Sequence, residues 1–124
     1  MINVYIQNYE DVSSELLELF RTYNSRDRGR MRLNLSKDYR LVSNRKIFYI
    51  KSKDGIKAWG MLYNCRGLRC PVADIYTLRK YRNKGYGSAI AEVMRSMVNS
   101  SIRCVHDLTS IYKRYGFNKK TNHE

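Results

Sequence analysis

A basic, glycine-containing segment from Ile75 to Ser88 (IYTLRKYRNKGYGS) is the part of the sequence best suited to chemistry. Its first residues belong to a predicted strand at 72–78 and those from Gly85 onward begin a predicted helix, so the basic loop between them leads into a helix N-terminus. Such a terminus offers unpaired N–H groups and a partial positive charge, which together attract phosphate. Gly85 and Gly87 let a phosphate approach the backbone, and Arg82 and Lys84 add charge. The same two glycines also suit a tight turn with a close contact between helix and strand.

Two widespread phosphate-binding patterns are absent from this segment. It lacks GxxxxGK[ST], so it is not a Walker A loop. It also lacks GxGxxG followed about 20 residues later by an acidic residue at a strand, so it is not a Rossmann fingerprint. Phosphate binding here therefore needs another structural context.

Alternating and helical patterns predict the elements that position this segment. Strands are expected at 2–6, 46–51, 56–63, 72–78 and 102–105. The turn signal Lys53-Asp54-Gly55 predicts that 46–63 forms a hairpin. Helices are expected from a cap at Asp11 or Ser13 to about Tyr23, from 85 to 98 and from 108 to 115, with a short helix or turn at 33–39. The strand–helix–strand run at 72–105 predicts a parallel strand pair.

Two motifs carry a family resemblance. Arg82-x-x-Gly85-x-Gly87 resembles the acyl-CoA motif of the GNAT superfamily of N-acetyltransferases, Gln/Arg-x-x-Gly-x-Gly/Ala. The preceding Ile75-Tyr76-Thr77 matches the family's Leu-Tyr-Val-like tripeptide. Residues 111–117 (IYKRYGF) resemble a second motif, in which a Tyr lies four residues before a Gly-Phe pair. A helix and a strand separate the two motifs, as in the family.

The resemblance is clear over residues 46–117 and extends to the first 45 residues only in the order of the elements. It implies one α/β domain over residues 1–124. Its GNAT-like mixed central sheet would have five to six strands splayed at the cofactor site, with helices on both faces. The basic segment 24–46 would lie on the side from which the acceptor approaches.

The resemblance also implies acetyl-CoA as the acetyl donor and assigns roles to individual residues. Loop amides would hold the pyrophosphate, and the backbone of the preceding strand would pair with the pantetheine arm. The implied cofactor-binding residues are Ile75, Tyr76, Thr77, Arg82, Asn83, Lys84, Gly85, Tyr86, Gly87 and Ser88. Tyr112 would donate a proton to the leaving thiolate, since a phenol is protonated at neutral pH. Asp74 and His106 are the candidate bases, and a water relay would need neither.

The charge distribution favours an acidic acceptor. The chain carries 24 Lys and Arg against 11 Asp and Glu, a net charge of +13. Eight bases and two acids lie between Arg26 and Lys46. The expected acceptor amine therefore belongs to an aminoacyl-tRNA, a modified base, or a protein lysine or N-terminus on an acidic or nucleic-acid-associated macromolecule. The alternative is a small basic protein that binds nucleic acid or inhibits a partner on an inactive GNAT-like fold.

Other features of the sequence exclude several classes of protein. The three cysteines are odd in number, form no CxxC pair and do not match zinc-ligand spacing with the two histidines, so no metal site and a reduced, cytoplasmic setting are expected. No apolar run is long enough to span a bilayer, and no base precedes Arg21 as a secretory signal would require. The sequence is compatible with a homodimer.

Overall fold

A computed structural model of the 124-residue chain describes residues 2–26, 42–104 and 115–119. The side chains of residues 21–26, 118 and 119 are outside this description. The short helix or turn expected at 33–39 and nearly all of the helix expected at 108–115 lie outside the described residues, as does the centre of the basic segment 24–46.

Six strands and two α-helices make up the described fold. In chain order they are β1 (Tyr5–Asn8), α1 (Ser14–Arg26), β2 (Val42–Ser52), β3 (Gly55–Cys65), β4 (Val72–Thr77), α2 (Tyr86–Met97), β5 (Ile102–Cys104) and β6 (Phe117–Lys119). Short 3₁₀ turns occupy Tyr9–Asp11 and Arg79–Tyr81. The expected α/β class is confirmed.

The strands form one mixed sheet in which spatial order follows chain order, from β1 to β6. The pairs β1–β2, β2–β3 and β3–β4 are antiparallel. The pairs β4–β5 and β5–β6 are parallel. The predicted parallel pair on either side of α2 is therefore confirmed. β4 and β5 pair at Val72↔Arg103 and Ala73↔Cys104.

Alternate residues of the central strands pack into two separate apolar clusters. Ile47 and Trp59 belong to a cluster that includes Phe20 of α1. Phe48 and Ala58, their neighbours along the strands, belong to a second cluster with Ile90, Ala91 and Met94 of α2. Because successive strand residues point to opposite faces, the cluster with Phe20 and the cluster with the α2 residues lie on opposite faces of these strands. We refer to these as the α1 face and the α2 face.

The first helix is capped by its own sequence. The Ser13 hydroxyl oxygen accepts a hydrogen bond from the Leu16 N–H at 3.1 Å, so Ser13 is the cap. Glu15 places a negative charge in the first turn, where the helix dipole favours it. Helix α1 therefore has a capping side chain and a first-turn acid of its own.

The structure differs from the sequence-based prediction at three strands. β1 begins at Tyr5 rather than residue 2, because its pairing with β2 runs from Tyr5↔Tyr49 to Asn8↔Lys46. β2 begins at Val42, inside the polar stretch expected to lack a strand. A bulge there, with Asn44 at φ 51°, lets β2 accommodate one extra residue and still pair with β3. No strand was predicted at β6, whose first residue, Phe117, ends the second family motif.

Within the part of the chain that the structure describes, no helix has the length and apolarity needed to cross a membrane.

Candidate functional site at the start of α2

The loop between β4 and α2 has a defined backbone. After β4, the N–H of Tyr81 donates to the Leu78 carbonyl at 2.8 Å and that of Arg82 to the Arg79 carbonyl at 3.3 Å. The chain then passes through left-handed conformations at Asn83 (φ 65°) and Gly85 (φ 86°). Asparagine and glycine tolerate this region best. Gly85 is thus explained by its backbone angle, and the chain reverses sharply into α2.

The N-terminus of α2 is built differently from that of α1. Gly85 occupies the cap position and has no side chain that could accept a hydrogen bond. No acidic residue lies in the first turn of α2. The first helical hydrogen bond joins the Ala89 N–H to the Gly85 carbonyl at 3.0 Å. By helix geometry, the amides of Tyr86, Gly87 and Ser88 have no acceptor within α2. This helix start suits an anion supplied from outside the chain.

Basic side chains surround this helix start. Arg79, Lys80, Arg82 and Lys84 are all exposed. The Arg82 Nε donates to the Thr77 carbonyl at 3.1 Å, and its guanidinium carbon lies 5.4 Å from the Tyr76 ring centroid. Arg82 therefore folds back over the end of β4 and places its charge beside the loop.

Lys57 on β3 also lies at this site. Its Nζ is 3.9 Å from the Tyr81 ring centroid and 5.8 Å from that of Tyr86. The two rings meet edge to face at 6.3 Å. The Lys57 carbonyl accepts the Leu78 N–H at 3.1 Å, which fixes the start of β3 against the end of β4. Sequence reasoning did not select Lys57. The turn at 53–55 indicated a hairpin, but the register between β3 and β4 was needed to find it.

The backbone of β4 presents alternate residues to β3 and to β5. In an antiparallel pair, residues that exchange hydrogen bonds alternate with residues that do not. Leu78 bonds to Lys57, so Tyr76 (opposite Trp59) also directs its backbone groups toward β3. Ile75 and Thr77 direct theirs toward the β5 side. Of the three residues expected along the pantetheine arm, Ile75 and Thr77 therefore face the β5 side and Tyr76 faces β3.

Asp74 is fully buried in the α1 face of β4. It shares that face with Tyr76 and lies opposite Met61 of β3. Its backbone carbonyl is so close to Gly60 that a Cβ on Gly60 would lie 2.8 Å from it. Asp74 does not face solvent, because the neighbouring strands and the α1-face cluster enclose it.

The structure therefore brings together the cofactor-binding residues expected between Ile75 and Ser88. Gly87 is buried in the first turn of α2, so the helix start sits close to the sheet. Two of the three expected catalytic residues, Tyr112 and His106, lie outside the described residues. The third, Asp74, lies one residue before Ile75 on β4.

Comparison of the chain with protein-family models, with curated proteins and with solved structures gave no match.

Proposed function

We propose that this protein is an N-acetyltransferase that moves an acetyl group from acetyl-CoA to an amine. The acceptor would be an acidic or nucleic-acid-associated macromolecule, such as an aminoacyl-tRNA, a modified base, or a protein lysine or N-terminus. The proposal combines the two sequence motifs that resemble the GNAT superfamily with the geometry of the loop that joins β4 to α2.

The N-terminus of α2 is the single observation that carries the proposal. Its amides lack acceptors in the helix, its cap residue has no side chain, and its first turn has no acid. The α1 helix of the same chain has both a capping hydroxyl and an acid. This contrast supports a phosphate ligand at α2, since a helix without such a ligand gains stability from its own cap.

The residues at this site fit the phosphates of CoA. The loop offers backbone amides, and four exposed cations flank it: Arg79, Lys80, Arg82 and Lys84. Both chemical groups favour multiply charged phosphate esters. When bound, acetyl-CoA supplies a thioester whose acyl carbon is electrophilic. Gly85 itself adds no side chain at the approach to these amides.

The chain's other residues would hold the substrate and move its protons. Ile75 and Thr77 face the β5 side, where an extended arm would align with β4. In acetyl transfer the amine nitrogen forms a bond to the acyl carbon while the carbon–sulfur bond breaks. The amine loses a proton and the thiolate gains one. Tyr112 would supply the proton to sulfur, and Asp74 or His106, directly or through water, would receive the proton from nitrogen.

The architecture is compatible with this proposal. We interpret the fold as GNAT-like, with the sheet splayed between β4 and β5 and helices on both faces. One feature supports that interpretation: the two helices pack against alternate residues of the central strands. Because Asp74 is fully buried on the α1 face, it would receive the amine proton through water rather than by direct contact.

A thermal-shift titration with acetyl-CoA tests the proposal directly. A ligand at about a hundred times its Kd adds about 2.7 kcal/mol of stability, which corresponds to a rise in Tm of about 10 °C in a domain of this size. We expect acetyl-CoA and CoA to raise Tm and ATP to leave it unchanged. No shift with millimolar acetyl-CoA would overturn the proposal.

The alternative function is that of a small basic protein that binds nucleic acid, or inhibits a partner, on an inactive GNAT-like fold. The net charge of +13 favours this reading if acetyl-CoA does not bind. Binding of acetyl-CoA without turnover on any amine would favour the inactive form. The same titration followed by a thiol-release assay separates the two functions.

A further inference from the structure

We propose that the end of the sheet carrying the β2–β3 turn binds single-stranded nucleic acid. The surface consists of Tyr5, Lys51, Lys53 and Lys57, and it continues into the loop at 79–84. It is called the hairpin surface below. If the proposed transferase function holds, the bound nucleic acid carries the acceptor amine. Only this assignment of the acceptor rests on the proposed function.

Strand pairing brings distant segments to this end of the sheet. Tyr5 lies opposite Tyr49, so the start of β1 lies near the β2–β3 turn. Ala58 lies opposite Thr77, so the end of β4 lies beside the start of β3. The side chain of Ile2 comes within 3.9 Å of a Cβ built on Gly85, which places the N-terminal segment against the start of α2. Three separate parts of the sequence therefore form one surface.

Cations dominate this end of the sheet. Lys51 and Lys53 on the turn are exposed, and Lys57 is half-buried. The loop after β4 adds Arg79, Lys80, Arg82 and Lys84. Among the described residues of the turn and the loop, Asp54 is the one acid. Glu10 and Asp11 follow the opposite end of β1. This separation of charge produces a positive potential at the hairpin surface.

An exposed aromatic ring is fixed beside these cations. Tyr5 is 41% exposed and stacks on Tyr49, with ring centroids 5.3 Å apart and an interplanar angle of 17°. The Tyr49 hydroxyl donates to the Gln7 Oε1 at 2.9 Å, which holds the supporting ring in place. The Lys51 Nζ lies 5.2 Å from the centroid of Tyr5. The Tyr5 ring is thus preorganised at the surface, with an ammonium group within reach of a phosphate.

Lys57 connects this ring to the loop. β3 contains a bulge at Lys57, because Ile50 pairs with Ala58 while Lys51 pairs with Ile56. A bulge changes the direction of the side chain it carries. The Lys57 Nζ lies over the Tyr81 ring, which also has the Lys80 Nζ at 5.0 Å from its centroid. Cations and tyrosine rings therefore continue from the turn to the loop.

This pairing of cations with aromatic rings favours nucleic acid over an acidic protein. A single strand offers both a phosphate backbone and unstacked bases, and base–aromatic stacking adds to phosphate binding. An acidic peptide would use the lysines but would have no flat groups for the rings. The cations of the turn are also additional to the four around the helix start, which suffice for the cofactor. A polymer with regularly spaced phosphates would contact both the cations of the turn and those around the helix start.

Fluorescence anisotropy with a labelled oligouridylate across a range of salt concentrations tests this proposal. The test variant is Lys51→Gln/Lys53→Gln. The matched control is Arg66→Gln/Arg69→Gln, which removes two exposed cations from the β3–β4 turn at the opposite end of the sheet. We expect the salt slope of the test variant to fall by about 1.4, at about 0.7 per phosphate contact with a single strand. The control should keep the wild-type slope.

Tyr5→Leu tests the stacking component. We expect it to weaken oligouridylate binding about tenfold, in the range measured for one base stacked on one ring. Affinity for inorganic polyphosphate, which has no bases, should stay unchanged. Equal losses in the two double variants, or equal affinity of Tyr5→Leu and the wild type for oligouridylate, would overturn the proposal.

Acetyl-CoA binding by the Lys51→Gln/Lys53→Gln variant keeps the two proposals distinct. We expect wild-type acetyl-CoA affinity, because the loop and the start of α2 are intact. If the wild type binds oligouridylate at the hairpin surface but not acetyl-CoA, the hairpin proposal stands and the transferase fails. If the wild type binds acetyl-CoA but not oligouridylate at the hairpin surface, the transferase proposal stands and the hairpin proposal is overturned.

Discussion

The Ala89 N–H donates to the Gly85 carbonyl at 3.0 Å, and this is the first hydrogen bond of α2. Every amide of the turn before Ala89 must therefore find its acceptor outside the helix. Ser88 is the last residue of that turn and is half-buried. A negative charge placed there would occupy the position that a phosphate would take.

We predict that Ser88→Glu abolishes acetyl-CoA binding without destabilising the fold. A carboxylate in the first turn interacts favourably with the helix dipole, by about 0.5 kcal/mol. It would also repel a phosphate at the same amides. Urea unfolding should show an unchanged or slightly raised free energy of unfolding. Isothermal titration should show at least a tenfold loss of acetyl-CoA affinity.

The matched control is Ser96→Glu, the same substitution on the last turn of α2. Ser96 is exposed, and its hydroxyl donates to the Val93 carbonyl at 2.7 Å. We expect a loss of about 0.5 kcal/mol of stability, since the dipole now opposes the charge, with acetyl-CoA affinity unchanged. Equal effects of the two variants on acetyl-CoA affinity would show that α2 does not hold the phosphates.

Tyr112→Phe separates proton donation from cofactor binding. If Tyr112 protonates the leaving thiolate, its loss should lower kcat by roughly a hundredfold or more, the range typical of a lost general acid. The Kd for acetyl-CoA should not change. The measurement is thiol release with an accepted amine, together with a binding titration. If the Tyr112→Phe variant turned over at the wild-type rate, Tyr112 would have a packing role and would not be the proton donor.

Gly60→Ala should destabilise the protein by about 1–3 kcal/mol. The added Cβ would lie 2.8 Å from the Asp74 carbonyl oxygen and 3.0 Å from the Met94 Cε. The flexible Met94 side chain can move aside, but the carbonyl is held by the β3–β4 pairing. Urea unfolding measures the loss. Gly67→Ala is the comparison, because its Cβ meets nothing within 4 Å and only its φ of 89° adds strain, about 1 kcal/mol. A smaller loss for Gly60→Ala than for Gly67→Ala would contradict the close contact.

We predict that ionisation of the Tyr49 phenol destabilises the folded protein at alkaline pH. Burial raises the pKa of its phenol above the usual value of 10, and the neighbouring Tyr5 adds to this. Above pH 10 the unfolded chain therefore loses the Tyr49 proton first. The free energy of unfolding that the protonated Tyr49 contributes is fully present below pH 10, and it is lost as pH rises through the folded-state pKa.

The Tyr49→Phe variant tests whether the protein loses stability as pH rises above 10. At pH 7 the variant should be about 1 kcal/mol less stable, because the hydrogen bond to Gln7 is lost. The difference from the wild type should narrow as pH rises beyond 10, since only the wild type has this phenol to ionise. Urea unfolding at several pH values from 7 to 11 provides the comparison. Parallel stability curves over that range would contradict the raised pKa.

Local patterns predicted much of the fold. The cap at Ser13, the hairpin around the turn at 53–55 and the helix after Gly85 depend on neighbouring residues, so their signals are contained in short stretches of sequence. The loop between the strand predicted to end at 78 and the helix predicted to begin at 85 was found for the same reason. Its glycine and basic residues mark a strand-to-helix connection whatever else surrounds it.

Contacts between distant segments were decided by the tertiary structure alone. The burial of Asp74 depends on how β4 packs beneath the α1-face cluster, and the position of Lys57 depends on a bulge and on the β3–β4 register. A one-residue shift in register would turn each of these side chains to the other face. Sequence thus determined the chemistry available at the start of α2, and pairing between strands decided which charged and aromatic side chains stand beside it.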